Sequence, residues 1–418
     1  MKGDKKDQKA SAGRRTLLKA GAASALALGF PSIIRAQADT IKIGHLTPLT
    51  GFLGALGGWA VQGMHMAVDD INAAGGIMGK KLEVMSEDSV NPATAATKAQ
   101  RMLERDGATV LIGEINSGSA KTIMQVAARN KRLFMSTGAR SDVLRGKDCN
   151  RYTFHVDIPV TVMVNAVGQA LLRDNMMKGK KFFSLTSDYL FGHDLSKAAK
   201  GFFAANGGNL IGDELIPTDA TDFSPYLLKI RQAKPDVVST NLGGNQVTNF
   251  VKQYSEFGLP YPVVGFNLNT ADAWAAGEGN LGGIWPTSWH HDLDVPGAKA
   301  FVAAFAKKHG HPPENHAWIE YVSFKMMAQA MNDTKSTDTD KLIAYFEKET
   351  QFDLLKGRKG YFRSWDHQLM QEAYAFTVKP KGQAKNKYDF LSFGPALPTA
   401  NQPLELLAPP KSQNTCVM

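Results

Sequence analysis

The chain predicts an α/β fold of two lobes, each built on a parallel sheet, and three observations carry that prediction. The stretch from Ala108 to Leu144 reads strand (Thr109–Gly113), small polar loop, helix (Ser119–Asn130), strand (Arg132–Ser136) and a second small polar loop. A helical crossover between two short apolar runs implies parallel neighbours, with both loops at the carboxyl edge of the sheet. The same alternation then recurs on either side of a break at Arg151–Pro159. Finally, two later segments read as returns from one series to the other, which places a cleft between two lobes.

In order along the chain, Ile41–Leu46 is a strand, followed by a glycine-rich loop over Thr47–Gly58 and an amphipathic helix over Ala60–Ala73 that Gly75-Gly76 ends. Lys81–Ser86 is the next strand, and helix Ala93–Arg105 leads into the block above. The segment RYTFHVDIP (151–159) is the first crossing. The second series has strands at Lys181–Thr186, Asn209–Leu215, Asp236–Thr240 and Pro262–Gly265. Its helices lie at Leu190–Asn206, Ser224–Ala233 and Gln246–Phe257. Gly283–His290 is a return crossing, followed by helices Gly297–His309 and Trp318–Asn332. Gly360–Trp365 reads as a third crossing before the last strands, Glu372–Val378 and Tyr388–Ser392. The lobes are expected at 39–155 plus 290–363 and at 156–289 plus 364–395. Residues 396–418, with prolines at 398, 403, 409 and 410, read as an extended surface tail.

Composition narrows the function classes. With 418 residues, 43% hydrophobic and 21% charged, the chain can bury two sizeable cores. Its net charge of +9 is concentrated at the amino terminus. Residues 1–38 carry eight Lys/Arg against Asp4 and Asp7, leaving 40 basic and 37 acidic side chains, a net of +3, for the rest. Nucleic acid is therefore not an expected partner. Twin Arg14–Arg15, a mildly apolar run from Ala20 to Phe30 and Ala36-Gln37-Ala38 together read as a cleaved twin-arginine export signal. That apolar run is far shorter than the ~20 residues a membrane span needs. In an oxidising compartment the two cysteines, Cys149 and Cys416, are expected to pair. The bridge would close a loop of 267 residues, contributing at most roughly 5 kcal/mol by chain entropy.

The first loop of the opening block puts Ser117 at a helix amino terminus, where backbone N–H groups and the dipole favour an anion. The second loop adds Arg140. Ser117 would also serve as an ordinary helix cap, and Arg140 could pair with Asp142 or Glu114 at the surface. Enzyme readings find less support. His290-His291-Asp292 with Asp294, and His309, His311 and His316, lack metal-ligand spacing and read as a polar hinge loop and a solvated helix end. Asn116-Ser117-Gly118-Ser119 is not a nucleophile elbow, and Gly54–Gly58 and Gly243-Gly244 match neither dinucleotide nor P-loop patterns. No metal and no cofactor are expected. Trp59, after the first glycine run, reads as a packing residue or as a residue of the site.

Several stretches match a family in order: IKIGHLTPLTG (41–51), AVDDINAAGGIMGKKLEV (67–84), the opening block, TDFSPYLLKIRQAKPDVV (221–238), FVKQYSEFGL (250–259), YVSFKMMAQAM (321–331) and the Trp365 segment. On these the chain resembles the periplasmic branched-chain amino acid (Leu/Ile/Val) binding proteins, the type I solute-binding proteins of ABC importers. The resemblance implies two Rossmann-like lobes, three hinge crossings, ligand capture by lobe closure, and an inner-membrane ABC permease as partner. A monomer is expected. It places the ligand carboxylate on Ser117 and on the position occupied by Arg140, and the ligand amine on the backbone carbonyl of Gly138. A facing aromatic falls on Phe191, another common aromatic position on Leu56, and the acid that pairs the ligand ammonium on Asn267. An arginine where the family has threonine, and an amide where it has an acid, shift the expected ligand to an aromatic, keto or aliphatic acid without a free amine. Two other classes stay open: a sensor component that presents its ligand to a membrane receptor, and an exported amide or ester hydrolase.

Overall fold

The structure is a computed structural model that describes residues 40–380 and 382–418; the export signal expected over 1–38 lies outside them. Strands β1 (Ile41–Thr47), β2 (Leu82–Asp88), β3 (Val110–Gly113), β4 (Phe134–Ser136) and β5 (Thr153–His155) form one parallel sheet in the order β2-β1-β3-β4-β5. Between them run α1 (Gly54–Ala73), α2 (Pro92–Glu104) and α3 (Ser117–Arg129). Period-two alternation sends Val110 and Ile112 to one face and Leu111 to the other, so both faces are apolar and both are covered.

The second sheet repeats the plan. Helix α4 (Val160–Arg173) leads to β6 (Lys181–Ser187), α5 (Leu190–Ala205), β7 (Asn209–Ile216), α6 (Ser224–Ala233), β8 (Val237–Asn241), α7 (Asn245–Phe257), β9 (Val263–Gly265) and α8 (Thr270–Ala276). The four strands lie parallel in the order β7-β6-β8-β9. Phe182 and Val237 face α4 and α5, whereas Phe183, Leu185 and Val238 face α6 and α7. Strand β10 (Trp285–Thr287) then returns the chain to the first sheet, whose outer face is covered by α9 (Pro296–His309), α10 (Asn315–Thr334) and α11 (Thr339–Glu347).

Several expectations shift. Helix α1 begins at Gly54, inside the segment expected as loop. The expected third crossing at Gly360–Trp365 instead contributes β11 (Tyr361–Phe362), paired antiparallel with β12 (Leu369–Met370). Phe362 is held there by ring contacts with Phe154, Phe346 and Phe352 of the first core. The chain passes to the second core only afterwards, through Ala373 and β13 (Tyr374–Val378), which pairs with β10 and β14 (Leu391–Phe393). Helices α4, α8 and α11 have no counterpart in the sequence reading. No described helix is long and apolar enough to cross a membrane.

The tail touches both lobes. Leu407 is buried in the core with α4, and its carbonyl accepts from Asn165 Nδ2 at 2.8 Å. The chain then runs on to a disulfide between Cys416 and Cys149, beside the first sheet.

Helices α1 and α10 pack at backbone distance because α1 carries Gly63. A Cβ there would stand 2.0 Å from the carbonyl oxygen of Ala317, one residue after His316. Gly58, in the same helix, has no such neighbour within 4 Å. Replacing Gly63 with Ala should therefore cost about 2 kcal/mol or more of unfolding free energy in denaturant titration. Gly58→Ala should be neutral or stabilising by roughly 0.5–1 kcal/mol. Equal effects at the two positions would contradict this packing.

Candidate ligand cleft

The cleft is assembled at the carboxyl ends of β3 and β4. Gly113 ends β3 at φ +124°, and a Cβ there would lie 2.3 Å from the Leu46 carbonyl oxygen, so only glycine fits the turn. Glu114 follows at φ +78°, fully buried, and its Oε1 accepts from the N–H groups of Ile115 (3.0 Å) and Asn116 (2.7 Å). The Asn116 side chain in turn caps α3, accepting from the N–H groups of Gly118 and Ser119 at 2.9 and 3.1 Å. Two of the donors expected to hold an anion at this helix end, the N–H groups of Gly118 and Ser119, are thus already used within the protein. Ser117 is completely buried, with its Oγ accepting from the Ser141 N–H at 3.3 Å, and so ties the two loops together.

After β4, Thr137 donates to Glu320 Oε1 at 2.6 Å, and the Gly138 N–H donates to the Glu114 carbonyl at 3.0 Å. A Cβ on Gly138 would press on Ile115 Cγ1 at 3.1 Å and on His316 Cδ2 at 3.4 Å, so glycine keeps this wall open. Arg140 points inward and is only 7% exposed. Its Nε donates to Asp157 Oδ2 at 2.6 Å, while Nη1 donates to Asn267 Oδ1 at 2.7 Å and Asn269 Oδ1 at 3.1 Å. With the Asn315 amide oriented to satisfy its neighbours, its oxygen accepts from Arg140 Nη2 at 3.0 Å and its nitrogen donates to Glu314 Oε2 at 2.8 Å. The surface partners considered for Arg140, Asp142 and Glu114, are not its partners. The buried ion pair is with Asp157, on the first crossing between lobes.

The structure brings Leu56, Gly138, Arg140, Phe191 and Asn267 around one small space of about 20 Å³. Ser117 stands behind that wall. Tyr189, Asn269, His316 and the backbone of Gly243-Gly244 also line it, and sequence reasoning did not assign them there. His316 was expected at a solvated helix end; it is 1% exposed because α10 starts inside the protein, and its Nδ1 lies 3.1 Å from Glu314 Oε1. His290 is likewise buried, stacked 3.9 Å from the Phe393 ring, instead of lying in a polar loop. Trp59 packs edge-on to His311 at 4.5 Å. Among the described residues no group of three or more His, Cys, Asp or Glu is placed to hold a metal ion.

The two lobes meet closely here. Gly244 has φ +54°, and a Cβ on it would stand 2.2 Å from the Phe52 carbonyl oxygen across the cleft. Phe52 also meets Tyr189 edge-to-face at 5.1 Å. Burial dominates the electrostatics. It raises Asp272, which accepts from Asn269 Nδ2 at 2.8 Å, to about 7, with the charge of Glu314 adding to the effect. Burial, reinforced by Glu320, raises Glu114 to about 8 against the lowering effect of its N–H donors.

A carboxyl whose folded value lies above its unfolded 4.5 stabilises the fold most at low pH. That contribution fades as pH climbs from about 4.5 through 8, at roughly 1.4 kcal/mol per unit inside the window. Glu114→Gln keeps the acceptor for the two N–H groups and removes the titration. The stability difference, native chain minus variant, should thus decline from pH 5 to pH 8 in urea titrations. Parallel curves would remove Glu114 from the balance.

The profile of the periplasmic binding protein family matches residues 40–384. The chain is 26% identical over 350 residues to the Leu/Ile/Val-binding protein homolog 8 of Brucella suis, covering 79% of this chain and 85% of that protein. It is similar to the crystal structure of a periplasmic binding protein from Burkholderia mallei, with TM-score 0.83 and 28% identity over 91% of this chain and 99% of the other. An ABC transporter solute-binding protein from R. palustris, solved in complex with benzoate, shares the fold with TM-score 0.76 and 22% identity over 86% of this chain and 98% of the other. With a family profile spanning both sheets and the cleft between them, the chain belongs to the periplasmic binding protein family.

Proposed function

We propose that this protein is exported through the twin-arginine signal of residues 1–38, cleaved near Ala38. In the periplasm it would capture a small organic carboxylate by lobe closure and deliver it to an inner-membrane ABC permease. Binding rather than catalysis is supported by Ser117, whose hydroxyl is buried and engaged with the Ser141 N–H. The lobes of this reading are residues 39–155 plus 290–363 and 156–289 plus 364–395.

One observation carries the choice of ligand: among the described residues, none of the side chains that line the cleft is acidic. Its polar lining is Arg140, Asn267, Asn269 and His316, set among Leu56, Ile115, Tyr189 and Phe191. The ammonium of leucine would be enclosed there without a counter-charge, at a cost of several kcal/mol. A monoanion with an apolar body, such as an aromatic, keto or aliphatic acid, meets a guanidinium and an apolar wall instead. Benzoate, with which the R. palustris protein was solved in complex, is an acid of this kind. In the closed arrangement Arg140 Nη1 is occupied by Asn267 and Asn269. Opening withdraws these amides, and an entering carboxylate takes their place on the fork.

Thermal-shift titration tests this. A ligand at ~100 times its dissociation constant adds ~2.7 kcal/mol, so benzoate or a related acid should raise the melting temperature while leucine should not. Arg140→Ala should abolish the shift. It also strands Asp157, costing about 3–5 kcal/mol of stability, so a second variant is needed. Asn267→Asp supplies the missing counter-charge and should weaken benzoate while making leucine stabilising. Leucine stabilising the unsubstituted protein as strongly as the best acid would overturn the proposal.

A further inference from the structure

Next to the cleft lies a second, larger chamber of about 430 Å³. Ala55 and Trp59 of α1 form one side, Asn245 of α7 and Asp272 and Trp274 of α8 the other, and Tyr388 closes the rim. Trp59 meets Trp274 edge-to-face at 5.9 Å, and Trp274 meets Tyr388 at 5.1 Å, so three rings form a continuous wall. The two spaces share a partition. Ala55 precedes Leu56, Asn245 follows Gly244, and Asp272 accepts the hydrogen bond of Asn269, so the same three helix starts line both.

The volumes decide what each can hold. With Arg140 bonded to Asn267 and Asn269 the cleft space of about 20 Å³ admits no more than water, so an acid enters it only as those contacts part. By contrast, 430 Å³ already falls within the range of small-molecule sites. Indole and phenol rings offer wide apolar faces suited to another ring. We infer that this chamber receives the distal, ring-bearing end of the solute whose carboxylate meets Arg140, an assignment that rests on the carboxylate reading above. The solute class is then an acid whose aryl group is carried on a spacer, longer than a compact acid such as benzoate. Because Trp59 belongs to the first lobe and Trp274 to the second, a tail in the chamber is buried only when the lobes meet. Tail binding thus favours closure.

Calorimetric titration of the mature protein with benzoate and with phenylvalerate tests the assignment. Phenylvalerate should bind at least about tenfold more tightly. Trp59→Ala and Trp274→Ala should each weaken phenylvalerate about tenfold and leave benzoate within about twofold. Trp274→Phe, which keeps a ring, should restore most of the loss and so separates ring contact from misfolding. If the alanine variants weaken both acids equally, or neither, the chamber assignment is overturned and the carboxylate reading stands. If neither acid binds the unsubstituted protein, this assignment is overturned together with the aromatic form of the carboxylate reading, and a keto or aliphatic acid that binds in an Arg140-dependent way would show that the wider reading stands.

Discussion

The buried ion pair between Arg140 and Asp157 is the contact on which the arrangement of the cleft depends. A guanidinium that is 7% exposed and a carboxylate that is fully buried are each costly to remove from water. The cost is offset to the extent that the donors find acceptors, and four of the five guanidinium N–H groups do. Nε goes to Asp157, Nη1 to two asparagines of the second lobe, and Nη2 to Asn315 at the start of α10. One side chain therefore joins the loop after β4, the first crossing, the loop after β9 and the entry to α10. The arrangement is satisfied with the lobes together and leaves donors without acceptors when they part, the vacancy that the proposed carboxylate would fill.

Glycines decide how closely the lobes and helices can approach. Gly57 sits where a Cβ would be 1.7 Å from the Pro48 carbonyl oxygen, Gly63 where it would strike Ala317, and Gly244 where it would strike Phe52. The first two fix α1 against the loop before it and against α10, and hence fix Leu56 and His316 in the cleft wall. The third sets the approach of the second lobe. Packing at backbone distance of this kind leaves little slack, so a small change at one contact moves the wall as a unit.

Much of the fold was legible in the sequence because it rests on local signals. Period-two apolar runs bounded by turn residues gave the parallel strands, and the crossing at 151–159 separated the two series. The misread segments are those where a local signal had another cause. The run from Gly54 to Gly58 reads as a loop because glycine is a poor helix former, yet the helix uses these residues for close approach. Gly360–Trp365 reads as a crossing, but the aromatic cluster around Phe154 keeps Phe362 in the first core. At the site, Arg140 was identified from its loop, while its partner was sought on the two loops themselves, in Asp142 and Glu114, and not on the crossing that follows. Sheet order decides the matter: β4 lies beside β5, and that brings Asp157, 17 residues away, to the guanidinium. His316 and Asn269 carry no local pattern that separates them from surface residues, and only the meeting of two lobes gives them a role.

The central claim is that Arg140 exchanges its contacts with the second lobe for those with a ligand carboxylate. A crystal structure of the protein grown with benzoate tests it most directly. The account predicts a carboxylate oxygen within hydrogen-bond distance of Arg140 Nη1 or Nη2, with Asn267 or Asn269 displaced from the guanidinium and the Nε–Asp157 contact kept. Benzoate seated elsewhere, with Arg140 still bonded to both asparagines, would contradict it.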